Sequence, residues 1–103
     1  MRLEKIYSLE EIKEMLSPIF TANAVYTATL FGSYAKGLAT NKSDIDIVID
    51  SKGELLNINF YGLLEQIIET LKKKVDLFEV SEIKKDSPIY EEIQKEGVLL
   101  YAR

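Results

Sequence analysis

The chain has 103 residues, 47% hydrophobic and 29% charged, with a net charge of -4 and a sequence pI near 4.9, enough for one globular domain over residues 1–103 with a single core. It contains neither cysteine nor histidine, which removes disulfides, thiolate or imidazole zinc sites, cysteine nucleophiles and every histidine-based triad. Its acidity argues against a protein that tracks long DNA or RNA on a basic face, although an acidic chain can still hold a nucleotide through magnesium.

The opening stretch MRLEKIYSLEEIKEML is charged throughout and lacks the apolar centre of a signal peptide. No run approaches the length that spans a bilayer, so a cytoplasmic protein without membrane contact is expected. Ser8, with Glu11 three residues on, forms a capping signature, and Ile12, Met15, Leu16, Ile19 and Phe20 follow at helical spacing. A helix is predicted over about 8–20. AVYTATLF (24–31) is β-branched and aromatic and reads as a strand ending at Gly32-Ser33, and SYAKGL fits a short helix stopped at Gly37.

IDIVID (45–50) is the second predicted strand, and residues 57–74 form an amphipathic helix carrying Ile58, Tyr61, Leu64, Ile67, Ile68 and Leu71. The lysines Lys72, Lys73 and Lys74 are expected to complement the negative end of that helix. VDLFEV (75–80) is a third strand. Ser87, Pro88 and Gly97 bracket a last helix, and VLLYA (98–102) closes the chain. The order αβαβαβαβ, without repeats, defines an α/β (α+β) fold.

Two carboxylates interrupt the second strand's apolar pattern. Residues two apart in a strand point to one side, so Asp44 and Asp46 aim together while Ile45, Ile47 and Ile49 line the opposite face. Like charges held this close repel unless one is protonated or a cation neutralises both, and all-oxygen ligands suit magnesium or manganese. Asp76, near the start of the third strand, repeats the pattern. If these three meet Gly32-Ser33 at one edge of the sheet, the first strand must run antiparallel to the second. The second then runs parallel to the third through a right-handed helical crossover. Glycine permits close backbone approach, and serine offers a hydroxyl to a phosphate. Taken alone, a D-x-D at a strand start is equally a solvated turn, with Ser43-Asp44 closing a loop; its combination with Gly32-Ser33 and Asp76 carries the site reading.

The run G-S-x10-D-x-D, Gly32-Ser33 followed by Asp44-Ile45-Asp46, with a third acidic residue on a later strand, resembles the nucleotidyltransferase signature of the DNA polymerase β superfamily. The short length resembles the minimal nucleotidyltransferases, partners of HEPN proteins in prokaryotic toxin–antitoxin pairs. The resemblance implies a nucleotidyltransferase fold with a mixed four-stranded sheet. Gly32 and Ser33 would hold the β and γ phosphates of ATP or another nucleoside triphosphate, and Asp44 and Asp46 would bind two Mg2+ ions, or Mn2+. Asp76 would bind the second ion and help deprotonate the attacking hydroxyl. Lys36 and Ser43 are placed with the nucleotide-binding residues; Lys36 stands where the family often has arginine and lacks that residue's two-pronged grip.

The implied activity is transfer of AMP, or another NMP, to a hydroxyl, with a tyrosine of a cognate HEPN RNase toxin as acceptor and a hetero-oligomer as the assembly. The alternative is a non-catalytic antitoxin that neutralises its partner by occlusion. A polymerase or tRNA-modifying fragment is disfavoured by the acidic surface and by the lack of a template domain.

Overall fold

The structure, a computed structural model, describes residues 5–103; the first four residues of the charged opening stretch lie outside the described residues. Ser8 caps helix α1 (Leu9–Ala22): its Oγ accepts from the Glu11 amide at 3.1 Å, and the Glu11 carboxylate accepts from the Ser8 amide at 2.9 Å. This reciprocal pair satisfies two of the donors that a helix start leaves open. The helix carries Pro18 inside it and runs two residues past the expected end.

Strand β1 (Thr27–Phe31) starts three residues later than its composition suggests, after a turn at Asn23 and Val25. Helix α2 (Gly32–Lys36) ends at Gly37, whose φ of 74° only glycine adopts without strain. Strand β2 (Ile45–Asp50), helix α3 (Ile58–Leu71), strand β3 (Val75–Glu79), helix α4 (Pro88–Glu96) and strand β4 (Val98–Ala102) complete the order, with an unforeseen 3-10 turn at Val80–Glu82.

The sheet order is β3-β2-β1-β4. β1 is antiparallel to both β2 and β4, and β2 is parallel to β3, as the carboxylate argument requires. One face carries Ala28, Leu30, Ile45, Ile47 and Ile49, buried with Ile12, Leu16 and Phe20 of α1 and Leu63, Ile67 and Leu71 of α3. Each such aliphatic side chain contributes about 1.5–3 kcal/mol when fully buried. The alternate positions, Phe31, Asp46, Val48, Asp76 and Phe78, belong to the other face, where the Phe31 and Phe78 rings meet at 5.7 Å.

Two expectations are corrected. Ile58 and Tyr61 are 80% and 65% exposed, because the buried stripe of α3 follows Leu63, Ile67 and Leu71. At about 100° per residue, Tyr61 and Ile58 stand roughly 120° and 180° away from the centre of that stripe. The lysine run does not simply extend the helix either. Lys72 takes the left-handed C-cap position, and Lys73 is 2% exposed, donating from Nζ to the Asn41 carbonyl at 3.1 Å. Among the described residues no helix is long and apolar enough to cross a membrane.

Candidate active site

Where β1 gives way to α2, Gly32 adopts a φ of +74° and lies against Asp46. A Cβ built there would collide with the Asp46 carboxylate, so the position admits only glycine on grounds of both conformation and space. The parallel register places Asp46 directly beside Asp76, and the antiparallel register places it beside Phe31. Three segments far apart in sequence thereby meet at one sheet edge.

Partial burial is the largest influence on Asp46, followed by the charge and hydrogen bond of Asp76 and then the charges of Asp44 and Glu92; together they push its carboxyl up to about 6. A neighbouring negative charge disfavours the ionised form of a carboxyl, as burial does. Asp44, at the entry to β2, is drawn instead toward Lys74, whose Nζ lies 3.5 Å from its Oδ2. The three aspartates therefore share an edge, with Asp46 and Asp76 side by side in register. Among the described residues no three acidic side chains close into a ready cage for a metal ion. The donor set nonetheless fits a hard divalent cation. It is all oxygen, and it sets like charges side by side that a cation can neutralise, with Gly32 allowing the backbone to approach the Asp46 carboxylate closely.

Ser33 is partly exposed on the first turn of α2, beside Gly32. Ser43 shapes the approach to Asp44: its Oγ accepts from the Thr40 amide at 2.8 Å, and its own amide donates to the Thr40 carbonyl at 3.0 Å. Lys36 is 3.3 Å from Glu92 of α4. Glu92 is thus a fourth acidic residue at the site, and sequence reasoning missed it. The two partners are 56 positions apart and no pattern links them; only the packing of α4 against α2 brings them together. Lys73 was missed as well, since nothing in a run of three lysines marks one for burial.

The fold and the carboxylate edge define a nucleotidyl-transfer domain. Residues 10–103 match the family model described as polymerase beta, nucleotidyltransferase, and the chain belongs to that family. A Methanocaldococcus jannaschii protein named as a candidate protein adenylyltransferase is 34% identical over 77 residues, 74% of this chain and 82% of that protein. Among solved structures, a toxin–antitoxin complex with AMP-PNP superposes with a TM-score of 0.76 at 24% identity, covering 88% of this chain and 73% of that one. The tri-AMPylated Shewanella oneidensis HEPN toxin in complex with MNT antitoxin gives 0.71 at 21% identity, covering 92% and 73%. At these identities the structural matches establish the fold, and the family match establishes the enzyme class as nucleotidyltransferase.

Proposed function

We propose that this chain is a magnesium-dependent nucleotidyltransferase that moves AMP, or another NMP, from a nucleoside triphosphate to a tyrosine hydroxyl of a cognate HEPN toxin, acting as its antitoxin. The observation that carries the reading is the juxtaposition of Gly32, Asp46 and Asp76 from three separate segments. The named adenylyltransferase relative and the toxin–antitoxin neighbours support the acceptor and the partner. We also take residues 1–103 to form one domain and to work in the cytoplasm.

In this reading Asp44, Asp46 and Asp76 hold the metal ions, Mg2+ or Mn2+, which when bound supply charge neutralisation for the attacking and leaving oxygens of an in-line displacement. The Gly32 backbone and the Ser33 hydroxyl receive the β and γ phosphates, and Lys36 and Ser43 border the nucleotide. A phosphate arriving at Lys36 competes with Glu92 for the ammonium. The acceptor oxygen attacks the α phosphorus, the bond to the bridging oxygen of the β phosphate breaks, and pyrophosphate leaves. The acceptor proton passes to the carboxylate of Asp76.

The test incubates the protein and its cognate HEPN partner with magnesium and α-labelled ATP, with an Asp44→Asn/Asp46→Asn control. Label on the partner that the control abolishes is the expected result. A stable, inhibited complex without label would instead favour neutralisation by occlusion.

A further inference from the structure

A groove of about 380 Å³ opens between residues 53–61 and the stretch from Leu77 of β3 to Glu82, and none of the three aspartates lines it. Along β3 its lining begins at Leu77, the residue after Asp76, which belongs to the opposite face of the sheet from that aspartate. Its walls are Leu55, Phe60 and Tyr61 on one side and Leu77 and Phe78 of β3 on the other. β3 is an edge strand, paired among the described residues only with β2. Of the lining residues, Leu56 and Tyr61 are 60% and 65% exposed, and apolar surface continues outside the groove at Val80, which heads the adjoining 3-10 turn and is 39% exposed.

The charged residues that line the groove have one sign. Glu79 lies 7% exposed in the groove lining, its carboxylate accepting from the Ser51 hydroxyl at 2.7 Å, and Glu82 is exposed on the rim. No lysine or arginine lines the groove. An apolar trough of this kind on a chain of net charge -4 complements a segment that carries a basic side chain between apolar ones. The apolar surface runs from the exposed Leu56 and Tyr61 of the lining to Val80 outside it, and a polypeptide covers trough and neighbouring surface together.

We propose that this groove is a docking site for a partner protein, taking an apolar segment with a lysine or arginine directed at Glu79 and Glu82. None of the aspartates lines the groove, so the partner is gripped there while its hydroxyl is presented at the carboxylate edge. The proposal rests on the partner assigned under Proposed function and adds where that partner holds on.

The experiment measures the affinity of the full chain for its cognate HEPN protein, comparing wild type with Tyr61→Ala, Leu56→Asp and Glu82→Lys. All three replaced side chains are exposed, so their melting temperatures should match wild type and serve as the folding control. The expected result is at least a tenfold weakening for each, greatest for the charge reversal at low salt. Wild-type affinity in all three variants would overturn the groove while leaving the partner reading intact. A wild-type chain that does not bind the HEPN protein would sink both.

Discussion

Asp46 of β2 and Asp76 of β3 occupy the same register position on neighbouring parallel strands and share a hydrogen bond. The arrangement is unfavourable for the folded chain by itself, since two acids and no internal cation face each other. Its cost has a definite pH dependence. The Asp46 carboxyl, ordinarily near 3.8, is raised to about 6 in the fold, so the folded state holds more protons than the unfolded state between those values. Stability therefore falls as pH rises through that window, and the full cost is present above it.

Asp46→Asn removes this cost. Discounted for solvent screening of a half-buried group, the gain is about 1 kcal/mol at pH 7.5 without metal, or a rise in Tm of roughly 4–8 °C. At pH 4 the gain should disappear. Melts followed by circular dichroism at the two pH values decide it; a lower Tm for the variant at pH 7.5 would mean that the carboxylate is held by a favourable partner.

Divalent cations should relieve the same repulsion in wild type. At pH 7.5, Mg2+ or Mn2+ at a hundred times its dissociation constant adds about 2.7 kcal/mol to stability. Asp46→Asn or Asp76→Asn should lose most of that increment. Equal stabilisation of wild type and variants would place the cation elsewhere.

Gly32→Ala tests the close approach of β1 to Asp46. The left-handed backbone costs a non-glycine residue about 1–2 kcal/mol, and the new methyl must displace the carboxylate. A misplaced carboxylate should lower nucleotidyl transfer about a hundredfold even in the fraction that folds. Measuring kcat below the melting transition separates that effect from the loss of stability.

Lys73 holds the loop before Asp44 by its bond to the Asn41 carbonyl. Lys73→Met keeps much of the buried stem and removes the donor, so the loss should be about 1–3 kcal/mol. Amide exchange over residues 40–43 should accelerate more than in the central strands. Uniform acceleration across the sheet would show instead that Lys73 serves the whole core.

Local chemistry made much of this protein readable from its residues. The Ser8 and Ser87 caps, the strands 45–50 and 98–102 and the turn at Gly32 depend on neighbours within a few positions, and all appear where the pattern puts them. The direction of β1 against β2, and of β2 with β3, was also legible, because carboxylates that share one chemistry must share one edge. Tertiary packing decided the rest. An apolar run such as 58–71 fits more than one helical phase, and only the sheet beneath it selects Leu63, Ile67 and Leu71 over Ile58 and Tyr61. The burial of Lys73, the pairing of Lys36 with Glu92 and the turning of Asp44 toward Lys74 depend on side-chain positions set by the assembled fold. Sequence spacing fixes which way a side chain points along its own element, whereas its partner across a gap depends on how the elements stack.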